Sequence, residues 1–507
     1  MTRLVPLLAL LLISTTCIAG SLTPATLERV QTLTLDGLHN AYNFEFKTAD
    51  QRFNEAIRIE PLHPRPYVGK ATIIAWRYLL SRNDTDKEAF LSSADLAIEV
   101  AEEYEDTFGE TADAQICLGT IYAYRSFVHG RSKSYLKGAW DGKRSFDYFS
   151  NALNLDAHAY DAYLGLGLFH YFTTFIPKPL QWIVAIMGIR GDSELGMKEL
   201  RIAASKGTYG KVESQYYLAQ FLPWHDGDFD SGEKIIADLH RQYPSNTLIA
   251  FTRAAWEIRR NDVATAKERL ISVVDTTDDL LDGVKSYAVY KLAECYFRLG
   301  DYSRARVRYR EFLRNYHDEI YVATANYRLG VCYELEGNRD SALSRYRKAA
   351  KAAQVFGDDA YAARRAVQRM ASRLAPSDTM ALAAQNALRS GNYDRAILLY
   401  AKVQALIAPT DELQAEADFG IGEALYEKGA YNESLARLER ASKATLVRER
   451  WLHPWSHYQR GLAALKIADP HLAKLEFEHA LEYEEFDFKN WLEFRAKREI
   501  EKLERVH

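Results

Sequence analysis

The sequence predicts an all-α protein, a right-handed superhelical solenoid of about ten antiparallel helix pairs. Three observations carry that prediction. Residues 286–356 contain one unit written twice: Leu292, Ala293, Tyr296, Ala305, Tyr309 and Phe312 stand at relative positions 7, 8, 11, 20, 24 and 27 from Ser286, and Leu329, Gly330, Tyr333, Ala342, Tyr346 and Ala349 repeat those positions from Ala323. A glycine followed by Asp or Asn punctuates both units, at Gly300 and Asp301 and again at Gly337 and Asn338. Glycine ends a helix in a left-handed conformation, and the short acid or amide caps the next one. Finally, 507 residues exceed the size at which one compact core keeps growing, so either several domains or an extended stack is expected, and the repeats decide for the stack.

Positions 4, 7, 8 and 11 share one face of a first helix, and 20, 24 and 27 share one face of a second. Small residues at 8 and 20 let the backbones approach, while the large ones fill the layer between. This spacing resembles the tetratricopeptide repeat. The resemblance implies a non-enzymatic scaffold that binds protein or peptide partners and needs no cofactor.

The chain opens on Arg3, an apolar run over residues 4–13, and small and polar residues ending in Cys17, Ile18, Ala19 and Gly20. This pattern over residues 1–20 reads as a cleaved signal peptide, since about ten apolar residues are too few to span a bilayer. It predicts export, to the periplasm or an outer-membrane-associated position. Lipidation at Cys17 is the competing reading, disfavoured because Ser14, Thr15 and Thr16 make a poor lipobox.

Residues 21–110 then read as N-terminal repeats, beginning with Gly37, Ala49, Phe53, Ala56 and Pro61. Residues 111–275 hold degenerate repeats, in which an insertion of about a dozen residues around Gly130, Gly138 and Trp140 is expected to separate two helices. A further apolar insertion occupies residues 175–189; Ile176, Leu180, Trp182, Ile183 and Ile186 make it a candidate patch for a partner or a lipid surface, against the plainer reading of a buried extra helix. Regular tandem units fill 276–356. C-terminal repeats fill 357–486, with a supernumerary helix before Ala375 and Pro376, and a polar capping helix fills 487–507.

The segment from Asp161 through Gly165, Leu166, Gly167 and Tyr171, followed by Ile176 and Pro177 and by Gly188 to Gly196, carries a narrower likeness. With Tyr243 and Pro244 it resembles the tetratricopeptide repeat protein 39 and inclusion-body-clearance family over about residues 110–275, although Ser193 stands where that family carries a basic residue. Its eukaryotic members lack a secretory signal, so only the scaffold role is implied.

Composition excludes some classes. Lys plus Arg is 65 against Asp plus Glu 69, a net charge of -4 without a sustained basic run, so nucleic acid is not expected as a partner. Cys117, Cys295 and Cys332 each fall in a first helix; equivalent positions of neighbouring units lie roughly 10 Å apart, beyond disulfide reach. Asp226, Gly227, Asp228, Phe229 and Asp230 imitate a calcium loop, but Ser231 and Ala237 stand where glycine and glutamate are required, so a turn is expected. Gly165 and Gly167 read as helix packing, and Arg190, Gly191 and Asp192 as a structural turn. His453 and His457 are four apart, yet Pro454 and Trp455 interrupt them and no third ligand is evident, so no metal is expected. No serine elbow, zinc-protease helix or phosphate loop appears, leaving a cryptic hydrolase only as a remote alternative.

In a stack of this kind, first-helix positions 2, 5, 9, 12 and 13 face the concave groove. In the tandem pair these are Tyr287, Tyr290, Glu294, Phe297 and Arg298, then Thr324, Tyr327, Val331, Glu334 and Leu335. The expected ligand is an extended or helical peptide held by stacking and a few ion pairs. The expected function is an exported scaffold that binds protein or peptide partners through this groove in an envelope assembly; the alternative is a membrane-associated adaptor working through the apolar insertion.

Overall fold

A computed structural model describes residues 23–505, apart from 82, 175, 177–189, 276–281, 317, 355, 356 and 409. Among the described residues the helices follow one another as antiparallel hairpins. The first five hairpins pair α1 (Pro24–Tyr42) with α2 (Phe46–Ile59), α3 (Pro64–Ser81) with α4 (Asp84–Phe108), α5 (Ala112–Arg131) with α6 (Tyr135–Leu155), α7 (Ala162–Thr173) with α8 (Ser193–Lys206), and α9 (Lys211–His225) with α10 (Phe229–Gln242). Three more pair α11 (Thr247–Arg259) with α12 (Val263–Asp275), α13 (Asp282–Arg298) with α14 (Tyr302–Asn315), and α15 (Val322–Leu335) with α16 (Arg339–Lys351). An odd helix, α17 (Gly357–Ala371), follows, and the stack resumes with α18 (Pro376–Arg389) and α19 (Tyr393–Leu406), α20 (Glu412–Glu427) and α21 (Tyr431–Ser442), and α22 (Leu452–Lys466) and α23 (Pro470–Leu481). The last helix is α24 (Lys489–Arg505). Neighbouring hairpins pack side by side, which is the all-α solenoid.

The hairpin turns follow from capping chemistry. Gly300 and Gly337 both take φ +80. Just beyond them, Asp301 Oδ1 accepts the N–H of Arg304 at 3.0 Å and Asn338 Oδ1 that of Ser341 at 3.1 Å. Each cap satisfies one of the orphan donors that opens a helix. The same device opens α19 through Asn392 and α23 through Asp469.

The repeat residues seal the hairpins. Leu292, Ala293, Ala305, Tyr309 and Phe312 are buried, as are Leu329, Gly330, Ala342, Tyr346 and Ala349. Small residues make room for rings. A Cβ on Gly37 or Gly69 would lie 2.5 or 2.6 Å from Phe53, so this ring is seated between α1 and α3. Phe149 of α6 is held the same way between Gly119 of α5 and Gly165 of α7.

Two departures alter the expected outline. The insertion expected around Gly130, Gly138 and Trp140 is not a loop: α5 and α6 extend to 20 and 21 residues and turn directly at 132–134. Gly138 permits this, because the helices approach closely enough for Ser126 Oγ to donate to its carbonyl at 2.7 Å. The second departure is long-range closure. α24 covers the last hairpin with Leu492 and Ala496, both fully buried, and also reaches α9. There Arg498 Nε donates to the His225 carbonyl at 2.5 Å, Arg498 Nη2 pairs with Glu194 at 2.9 Å, and Trp491 packs on Trp224 with ring centres 4.9 Å apart.

Among the described residues no helix is long and apolar enough to cross a membrane. Cys117, Cys295 and Cys332 lie buried as free thiols. Residues 1–20, with Cys17, and Leu180, Trp182, Ile183 and Ile186 of the apolar insertion fall outside the described residues. Ile176 is half-buried just beyond α7.

Candidate peptide-binding cleft

The first helices of the five N-terminal hairpins line a common cleft. α1 contributes Thr34, Leu38 and Tyr42; α3 contributes Val68 and Thr72; α5 contributes Ile116, Thr120, Ala123 and Phe127. Leu164 and Leu168 of α7 and Tyr217 of α9 complete the wall around a cavity of about 100 Å³. With Gly37 and Gly119 at position 8 of their units, Thr34 and Ile116 take position 5, Leu38 and Thr120 position 9, and Tyr42 and Tyr124 position 13. These are the positions predicted to face the groove.

One polar group in the wall is already satisfied. Asp161 Oδ1 accepts three backbone N–H groups, from Thr208 at 2.8 Å, Tyr209 at 3.0 Å and Gly210 at 2.9 Å. Arg65 donates to Asp113 at 2.7 Å and stacks 3.9 Å over the Tyr209 ring.

A second polar group in the wall is built differently. Trp76 Nε1 donates to the Tyr124 hydroxyl at 2.9 Å, which donates in turn to Glu213 Oε1 at 2.8 Å. Glu213 has no cationic partner among the described residues. Burial pushes its carboxyl up to about 7, against the pull of the Tyr124 hydrogen bond. Burial first, then the Glu213 charge, raises the hydroxyls of Tyr42, Tyr124 and Tyr217. Among the described residues the lining of the cleft is mainly apolar and aromatic, with Arg65, Asp161 and Glu213 as its charged groups.

The structure places the predicted tandem-pair residues elsewhere. Tyr290, Glu294, Phe297, Thr324, Tyr327 and Val331 are all buried. Tyr290 stacks on Tyr321 with ring centres 4.6 Å apart, and Tyr287 accepts from the Tyr316 hydroxyl at 2.7 Å. Glu294 accepts from Tyr309 and lies 3.7 Å from Arg328. The chain itself covers this face: Asp359 of α17 accepts from Tyr321 N–H at 2.9 Å and from Thr324 N–H at 3.0 Å, and Asn386 of α18 donates to the Phe297 carbonyl at 2.9 Å. Glu334 is engaged by Arg339 at 2.7 Å and Tyr346 at 2.6 Å. Tyr327 and Val331 border a smaller cavity of about 70 Å³, closed by Tyr361, Arg365 and Glu416. Arg298 and Leu335 are half-buried.

The family model described as "Tetratricopeptide repeat" matches residues 287–318 and 324–353, the two units read above. The chain carries tetratricopeptide repeats. No curated protein matches this repeat protein in sequence. Among solved structures it is similar to yeast Tom70, at 13% identity over 86% of this chain and 89% of that one, with a TM-score of 0.32. A tetratricopeptide repeat protein from Parabacteroides merdae aligns at 17% identity over 57% of this chain and 98% of its own, with a TM-score of 0.26. The TPR2AB domain of yeast Sti1, in a pHSP90 complex, aligns at 14% identity over 58% of this chain and 98% of its own, with a TM-score of 0.21.

The remaining motifs of the repeat protein resolve as packing and caps. Asp228 caps α10 through Ser231 N–H at 3.0 Å and Gly227 takes φ +69, so the calcium-like stretch is a turn. Asp192 caps α8 through Leu195 N–H at 3.0 Å. His453 turns to the Ala444 carbonyl at 2.7 Å, while His457 meets Glu476 at 2.8 Å. His479 joins them, so that ligand atoms of His457, Glu476 and His479 lie within 4.8 Å of one another. The group missing from the sequence reading thus comes from α23. Arg460 holds the second oxygen of Glu476 at 3.0 Å, so both carboxylate oxygens are engaged.

Proposed function

We propose that this tetratricopeptide-repeat protein is an exported, non-catalytic scaffold that binds a protein or peptide segment in the cleft of its five N-terminal hairpins. The observation that carries the reading is the coincidence of the open cleft with first-helix positions 5, 9 and 13, while the same face of the tandem units is filled by α17 and α18. An apolar wall with a few fixed polar groups suits a chain segment laid along it. The likeness of residues 110–275 to the tetratricopeptide repeat protein 39 and inclusion-body-clearance family points to the same scaffold role. The leader-like residues 1–20 support export and a place in an envelope assembly. The test is a photo-crosslinking amino acid at Thr120 or Leu168 in the native cell. A discrete adduct from these positions, absent from exposed Glu99, is expected; equal labelling from Glu99, or none from the cleft, overturns the reading.

A second reading has its own observation. Leu136 and Trp140 stand one turn apart on α6 and are 59% and 65% exposed. Such side chains suit a membrane-associated adaptor touching lipid. Flotation of the mature chain with anionic liposomes, lost in Trp140→Ala, is expected on this reading; failure to float removes it.

A further inference from the structure

The cleft contains one group that the scaffold does not use. In folded proteins a buried carboxylate is paired with a cation or ringed by donors, because leaving it alone in an apolar setting is costly. Glu213 receives a single hydrogen bond, from Tyr124, and no cation among the described residues approaches it. The groups around it are aromatic: Tyr42 from α1, Tyr124 from α5 and Tyr217 from α9 line the same cavity, and Trp76 from α3 stands behind Tyr124, donating to its hydroxyl. The other charged residues lining the cleft, Asp161 and Arg65, are spent on backbone amides and on Asp113. A carboxylate set among tyrosine and tryptophan rings is what a cation lacks in water and gains in a cage. The cavity of about 100 Å³ is smaller than the ~150 Å³ cavity that takes up benzene. It therefore accommodates the end of a side chain, with the apolar wall left for the flanking residues.

Resting on the cleft reading above, we propose that Glu213, with the rings of Tyr42, Tyr124 and Tyr217, anchors one lysine or arginine side chain of the bound segment, and that apolar residues on either side of that cation lie against Leu38, Ile116 and Leu164. The anchored cation replaces the partner that the fold withholds. Specificity then comes from the unpaired charge, since a segment with an acidic or neutral residue at that place covers the half-buried carboxylate and leaves it unmatched.

The experiment is selection of random peptides displayed on phage against the intact purified chain, run in parallel on the wild type, Glu213→Gln and Tyr124→Phe. Wild type should enrich peptides with one Lys or Arg between apolar residues. Exchanging that cation for norleucine in a synthetic copy should weaken binding by about tenfold to a hundredfold. Glu213→Gln should keep the apolar preference and lose the cationic one. Tyr124→Phe should retain it in weakened form. Because burial holds the Glu213 carboxyl near neutrality, selection of wild type at pH 5 should mimic Glu213→Gln, an arm that needs no variant to fold. Enriched peptides without a cation, or a cationic preference unchanged in Glu213→Gln and at pH 5, overturns the anchor and leaves the cleft reading standing. No enrichment from any library overturns both.

Discussion

Replacing Gly165 with alanine sets two ordinary effects against each other. Within a helix, alanine is favoured over glycine by about 1 kcal/mol. At Gly165, however, the added methyl would stand 1.9 Å from Cε2, 2.3 Å from Cδ2 and 2.5 Å from Cζ of Phe149. Restoring carbon contacts of about 3.5 Å requires ring or helix to move by about 1.5 Å. The ring has little freedom to retreat, because its other edge faces Gly119, where a Cβ would lie 2.9 Å from Cδ1. Overpacking of this kind costs about 1–3 kcal/mol, so the sign of the substitution reverses to a net loss of up to about 2 kcal/mol. Gly130 is the internal control. It lies in α5 with nothing within 4 Å of an added Cβ, and Gly130→Ala should stabilise by about 0.5–1 kcal/mol. Amide hydrogen exchange across α5 to α7 is the assay, since it reads local opening in a long stack. Gly165→Ala should exchange faster there than wild type, Gly130→Ala slower, and Phe149→Leu should recover part of the loss in the Gly165→Ala background. Equal protection by the two alanines would refute the argument that rings seated between glycines set the hairpin spacing.

Glu213 should also leave a mark on stability. Its folded-state carboxyl sits near 7 against an ordinary 4.5, so the folded state holds the proton more tightly, and stability relative to Glu213→Gln falls as pH rises from about 4.5 to about 7, by at most about 3 kcal/mol. Chemical denaturation of both proteins across that range measures it; a flat difference contradicts the burial cost. Asp359→Ala removes a fully buried acceptor of two backbone N–H groups and the Thr324 hydroxyl, and should cost about 2–4 kcal/mol, seen as accelerated exchange at the start of α15. Arg498→Ala should raise exchange in both α9 and α24 while leaving α13 to α16 unchanged.

What the residues announced, and what they withheld, divides along one physical line. The tandem units were readable because their face-forming positions are local: small residues at 8 and 20, rings at 11 and 24, and caps at Asp301 and Asn338 act within one hairpin. The lengthened α5 and α6 were not, since extra helical turns and an inserted loop displace later positions by the same amount; only Gly138 lying against α5 separates the two. The open cleft was half readable. Its positions obey the rule applied to the tandem pair, and applying that rule to Thr34, Leu38, Ile116 and Thr120 would have found it. Which stretch of concave face remains uncovered depends on contacts such as Asn386 with Phe297, 89 residues apart, for which no periodicity exists. The Glu213 relay joins Trp76, Tyr124 and Glu213 from three separate hairpins, again beyond any local pattern.

The grip of Arg498 on His225 spans 273 residues of sequence and gives the molecule a clasp. An unclasped rod of stacked hairpins stretches and twists like a spring, and its concavity widens or narrows with each small rotation summed along the stack. Buckling the tail onto α9, the same helix that presents Glu213, removes much of that compliance. A guest would then meet a mouth of set width, and trimming the final helix would loosen a jaw formed from the opposite end of the polypeptide.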